Sequence, residues 1–159
     1  MFIDRAGHAA FDRLVVLDIN ENCLAVAAKR LARFAPVPWQ TSPFELGAGP
    51  SGRGIAPFDS IGLTYVLHCL PGAMTEKLGV IDRLRGLMRP RAVLFGATIL
   101  GRGIVPNGAA RALLALYNGR GVFNNREDDL AGLTRSLEQR FAAVEIETWL
   151  CRLIPRDLT

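Results

Sequence analysis

The sequence predicts an α/β protein with a doubly wound, mostly parallel sheet. Short apolar runs and helical periods alternate along the chain, and the first clear run, Leu14-Val15-Val16-Leu17, ends in an acid, Asp18. A run of that kind suits a strand buried on both faces of a parallel sheet. The last run, Val144 to Trp149, instead alternates apolar with polar, as an edge or antiparallel strand half exposed to water would.

Each element has its own signal. After Asp18, Asn20 is a helix cap and Glu21 favours the positive end of the helix dipole, while Leu24, Ala27, Ala28, Leu31 and Phe34 recur at helical spacing. Pro36 and Pro38 end that helix, and Val37 to Thr41 forms a short strand. Residues 42–56, rich in glycine and proline, are expected to be a mobile connection. Phe58 to Val66 reads as a central strand. Pro71-Gly72 breaks the chain before a helix with Met74, Leu78, Ile81, Leu84 and Met88 on one side, and Arg89-Pro90-Arg91 turns it into a second central strand from Ala92 to Leu100. Helices follow near 106–118 and 126–140. Asn124 or Asn125 is expected to cap the second, with Glu127, Asp128 and Asp129 in its first turn and Leu130, Leu133, Leu137 and Phe141 as its buried stripe.

Composition narrows the function classes. The chain has 159 residues, half of them apolar, which suits a single domain with a sizeable core. No apolar stretch approaches the roughly 20 residues of a membrane span, and the opening Met1-Phe2-Ile3-Asp4-Arg5-Ala6 does not read as a secretory signal. A cytoplasmic location is expected, with no membrane partner. The charge of +4 comes from scattered arginines without interleaved aromatics, so no nucleic-acid partner is expected. The 3 cysteines, Cys23, Cys69 and Cys151, have no metal-binding or redox spacing and read as reduced packing residues.

Three segments resemble class I S-adenosylmethionine-dependent methyltransferases. Val15-Val16-Leu17-Asp18-Ile19-Asn20 is similar to the family's second strand and its acidic tip, and Phe58-Asp59-Ser60-Ile61 through Leu70-Pro71-Gly72 to its fourth strand and the loop after it. Leu87-Met88-Arg89-Pro90-Arg91-Ala92-Val93-Leu94 is similar to its L-x-P-G-G-x-L entry into the fifth strand, with Arg91 and Ala92 in place of the glycines, which implies a different turn. Tyr117-Asn118 and the stretch from Phe123 to Leu130 resemble a narrower small-molecule subgroup, of type 11/12. The family's first strand ends in a glycine-rich G-x-G-x-G loop. Phe2 to Ala6 resembles the helix after that loop, so the resemblance implies that strand and loop precede Met1. Since that strand lies centrally in the family, its loss would leave unpaired backbone in the sheet. The chain alone is then expected to be marginally stable, completed by an upstream segment, by direct closure of the flanking strands, or by a homo-oligomer formed through unpaired strand edges.

The resemblance also implies the cofactor, S-adenosylmethionine, and a site for it. Asp18 would accept the ribose hydroxyls and Ile19 would lie against the adenine. Thr41 and Ser42 stand near the position of the family's adenine-binding aspartate, and Thr64 and Tyr65 fall at the methionine end. His68 is the catalytic candidate, a general base with a pKa near neutrality, although a histidine here also suits a structural role. Tyr117, Asn118, Phe123 and Asn124 are candidates to line a pocket for a small-molecule acceptor. Two other functions suit the same pattern: a methyltransferase-fold protein without transfer activity, acting as a partner subunit or binding module, and a nucleotide-dependent oxidoreductase.

Overall fold

Asn20, the residue two beyond the first strand, sets the first turn of the fold. In the structure, a computed structural model describing residues 11–46 and 57–148, its backbone is extended and its side chain accepts from the Asn22 amide at 2.9 Å. That bond caps α1 (Glu21–Arg30), which has Glu21 in its first turn and Lys29 and Arg30 in its last, each charge favourable to the helix dipole. The helix connects β1 (Val15–Asp18) to β2 (Val37–Gln40), which pair in parallel with Val15 opposite Val37 and Asp18 opposite Gln40. Leu24 within it and Leu31 at its C-terminal cap are buried, and the turn back to β2 passes through a 3₁₀ turn, Ala32–Phe34, and a left-handed Ala35 at φ 46°.

These elements belong to one of two compact units, Met1–Pro57 with Arg83–Leu87. The other is Phe58–Asp82 with Met88–Thr159. In the second, β3 (Phe58–Thr64) and β4 (Met88–Ala97) are parallel, and α2 (Met74–Arg85) connects them in sequence. The strands align from Ser60 opposite Val93 to Thr64 opposite Ala97, whereas Phe58 lies opposite Met88. The surplus of β4 residues is taken up around Arg91, whose φ of 69° lies in the left-handed region. The glycine-type turn is therefore retained although arginine occupies it, at a steric cost of about 1–2 kcal/mol. Higher up, Gly96 passes so close to the Leu63 carbonyl that a side chain there would collide with it. The chain continues through α3 (Gly108–Gly119), capped by Asn107, to α4 (Leu130–Glu138), capped by Asp129.

The α/β class and the parallel pairing hold. Among the described residues the strands form two two-stranded sheets, β1 with β2 and β3 with β4. The strands are also less buried than their apolar runs predict: β1 is half-buried throughout, and Val93 and Phe95 of β4 are exposed. A run buries both faces only where further strands and helices cover it.

Several element boundaries differ from expectation. Met88 opens β4 rather than closing α2, because Gly86 and Leu87 end the helix first. Asp129 caps α4, since Asn125 and Asp128 are held elsewhere, as described below. Within 42–56, Pro43–Glu45 forms a 3₁₀ turn capped by Ser42, and residues 47–56 lie outside the described part. Residues 144–148 form no strand, and Trp149 lies outside the described residues. Alternation supplies a face, but a strand also needs a neighbour for its backbone bonds. No helix among the described residues is long and apolar enough to cross a membrane.

Candidate functional site

In the first unit, parallel pairing brings the carboxyl ends of β1 and β2 together, the end at which open α/β sheets bind ligands. Asp18 closes β1, and Thr41 and Ser42 follow Gln40, the last residue of β2. The backbone joins them: the Thr41 amide donates to the Asp18 carbonyl at 3.2 Å, and Gln40 Nε2 donates to the Ile19 carbonyl at 3.3 Å. Asp18 Oδ1 accepts from the Asn20 amide at 2.8 Å, so this acid does serve the turn into α1. A carboxylate has about four lone-pair positions, and one bond leaves room for ligand hydroxyls. Ile19 is 66% exposed, an apolar side chain open to solvent at the strand end. The Ser42 hydroxyl already accepts from the Phe44 amide at 3.3 Å.

In the second unit, the carboxyl ends of β3 and β4 carry a different kind of site. Thr64 ends β3, and the Tyr65 amide donates to the Ala97 carbonyl at 2.7 Å. Tyr65 has a φ of 58° and is 56% exposed. A non-glycine residue with that backbone is strained by about 1–2 kcal/mol, and such strain concentrates at ligand sites. His68, in the 3₁₀ turn Leu67–Cys69, is buried. Its Nδ1 lies 3.4 Å from both the Ile99 amide and Thr98 Oγ1. Accepting from an amide assigns the neutral ring's proton to Nε2. Burial, reinforced by the Lys77 charge and opposed by that of Asp128, lowers the imidazole below its ordinary 6.5. His68 is therefore neutral at pH 7, and proton uptake at Nδ1 requires the Ile99 bond to break.

Around His68 lies a polar network that the sequence reading did not assemble. Lys77 has no exposed surface, and its Nζ donates to Asp128 Oδ2 and to the Asn124 carbonyl, both at 2.7 Å. The Asn124 amide donates to the His68 carbonyl at 2.8 Å, and Asn124 Nδ2 donates to the Cys69 carbonyl at 3.2 Å. Asn125, also without exposed surface, donates to the Ile99 carbonyl at 2.8 Å and accepts from Asn118 Nδ2 at 2.9 Å. Gly101 and Arg102 both donate their amides to the Asp128 carbonyl, and a side chain at Gly101 would strike the Asn125 carbonyl. The segment from Asn118 to Asp128 is thus stitched to the exits of β3 and β4. One signal for it was present: Lys77 falls among Met74, Leu78 and Ile81 on the apolar stripe of α2, where a lysine needs a buried partner.

Of the acceptor-pocket candidates, Phe123 meets His68 edge-to-face at 4.6 Å between ring centres and Tyr117 at 4.9 Å, whereas Asn118 and Asn124 belong to the network. An open groove of about 810 Å³, lined by Arg102, Asp129, Leu130, Thr134, Arg135 and Glu138 among others, contains none of the predicted site residues. Among the described residues no cluster of three or more His, Cys, Asp or Glu side chains is placed to hold a metal ion.

Comparison with known proteins gives the chemistry a family context. The chain is 37% identical over 134 residues to the methyltransferase verB of Penicillium polonicum, covering 84% of this chain and 58% of that protein. It is 32% identical over 139 residues to demethylluteothin O-methyltransferase of Streptomyces thioluteus, covering 87% of this chain and 59% of the enzyme. The methyltransferase ctvB of Aspergillus terreus is 35% identical over 145 residues, with 84% and 58% covered. The chain is related to methyltransferases. It spans just under three fifths of the length of these methyltransferase relatives, 58–59%. No family model matches it.

Proposed function

We propose that this chain is a class I S-adenosylmethionine-dependent methyltransferase acting on a small-molecule acceptor, its two parallel strand pairs belonging to one doubly wound sheet in a single domain. The observation that carries the reading is Asp18 at the carboxyl end of β1, beside Thr41 and Ser42 just past its parallel neighbour, in a chain whose relatives are methyltransferases. The residues fit the cofactor. Asp18 has acceptor capacity beyond its bond to Asn20, as a pair of ribose hydroxyls requires, and the exposed Ile19 offers an apolar surface for a base. Thr41 and the remaining capacity of Ser42 would accept from an exocyclic amine, more weakly than a carboxylate. Thr64 and Tyr65 would hold the methionine end. When bound, the sulfonium supplies an already activated methyl group, so the chain's own task is to hold the acceptor in line with it and exclude water. His68, the candidate base, is engaged at Nδ1 and so positions the surrounding rings in this reading.

Calorimetric titration of the chain with S-adenosylhomocysteine, with NAD as control, tests the proposal. Binding of S-adenosylhomocysteine is expected, and Asp18→Ala should weaken it by roughly 1.5–3 kcal/mol through loss of charge-assisted hydrogen bonds. Equal affinity in variant and parent would remove Asp18 from the site, and preference for NAD would favour an oxidoreductase.

A further inference from the structure

We propose that Tyr65 and Phe123, both packed edge-on against His68, form an aromatic wall that takes a planar, ring-bearing acceptor, and that the buried Lys77–Asp128 pair positions this wall. Its role toward an acceptor rests on the methyl-transfer reading; its preference for a flat ring rests on the geometry. Tyr65 lies 6.0 Å and Phe123 4.6 Å from the His68 ring, at interplanar angles of 76° and 86°, and Tyr117 continues the row behind Phe123. Tyr65 is 56% exposed at the ligand end of β3, on a backbone at φ 58° that glycine would adopt without strain. A strained residue that leaves more than half of its surface in water recovers little from burial, so a ligand that covers the ring accounts for both features. Flat rings match such a surface because aromatic pairs prefer edge-to-face or offset stacking, which a saturated ring cannot reproduce.

The positioning argument runs through Asn124, the residue after Phe123. Its amide, carbonyl and side chain are all engaged, by the His68 carbonyl, Lys77 Nζ and the Cys69 carbonyl respectively. Lys77 is in turn fixed by Asp128, whose carbonyl holds Gly101 and Arg102. The Phe123 ring is thereby held relative to the exits of both β3 and β4.

The test uses 2-naphthol and its saturated counterpart 2-decalol as probes of the full chain, with binding and melting temperature measured together. The parent should bind 2-naphthol in preference to 2-decalol. Tyr65→Gly should melt higher yet bind 2-naphthol about three- to ten-fold more weakly, the loss of one aromatic pair, and Tyr65→Phe should restore affinity. The double variant Lys77→Met/Asp128→Leu, which removes both charges and so avoids an unpaired one, should stay folded while losing 2-naphthol affinity to a similar degree. A parent that binds neither probe or both equally would overturn the wall, as would Tyr65→Gly with unchanged affinity. A folded double variant with native affinity would overturn the positioning. S-adenosylhomocysteine, titrated in parallel, separates the two readings: its binding without 2-naphthol selectivity overturns the wall alone, and the reverse overturns methyl transfer alone.

Discussion

The two strand ends are built on opposite principles. At the ends of β1 and β2 the backbone and Gln40 join the two strands, but the ligand-end side chains bond locally: Asn20 caps the helix that follows it, Asp18 accepts from an amide two residues on, and Ile19 is open to solvent. At the ends of β3 and β4 the bonds are long-range and buried, joining Lys77 to Asp128, Asn125 to Ile99 and Asn124 to His68. The first arrangement leaves acceptors free for a polar ligand. The second uses up its polar groups internally and leaves aromatic surface. On the proposed reading, the contrast would separate a site for a hydroxylated nucleoside from one for an apolar partner.

The largest test of that contrast is Lys77→Met. It leaves Asp128 as an uncompensated buried charge, and denaturant unfolding should show a loss of about 3–5 kcal/mol, a large share of a domain's stability. A loss below 1 kcal/mol would place this pair with ordinary surface ion pairs such as Arg89–Asp59 and dissolve the distinction. On the other side, Asn20→Ala removes only a local cap, so the same measurement should show about 1 kcal/mol. A cost equal to that of Lys77→Met would mean that the first strand end is as tightly coupled as the second.

The smallest effect is one of pH. Because the folded imidazole of His68 titrates below 6.5, the unfolded chain takes up a proton before the folded one does as pH falls through that value. Stability should therefore decline below pH 6.5 and be insensitive to this group above it. Between pH 7.5 and 5.5 the stability gap between the parent and His68→Gln should shrink, because only the parent loses stability through this group. If the methyl transfer proposed above is present and falls across this range while stability stays flat, His68 would be a base rather than a packing residue.

Legibility in the sequence followed the range of the interactions. The cap at Asn20 and the acid ending β1 depend on neighbouring residues, so a local pattern records them, whereas the left-handed backbone at Arg91 departs from the different turn that its sequence implies. The start of α4 was misplaced because Asn125 and Asp128 are attractive helix-start residues by local rules, yet each is held by a partner far along the chain, Ile99 and Lys77. Lys77 was passed over for the same reason: on the stripe of α2 it is one polar residue among apolar ones, and its partner lies 51 positions away.

The amino-acid sequence by itself determined the alternation of strands and helices, the parallel pairing, the acidic tip of β1 and the likeness to methyltransferases, all carried by residues adjacent in the chain or one helical turn apart. Only the tertiary structure decided that His68 is buried and neutral, that Tyr65 is strained and exposed, and that Lys77 is paired with Asp128. Burial and charge pairing depend on which distant segments meet, and loop closure brings them together at a free-energy cost that grows only slowly with separation.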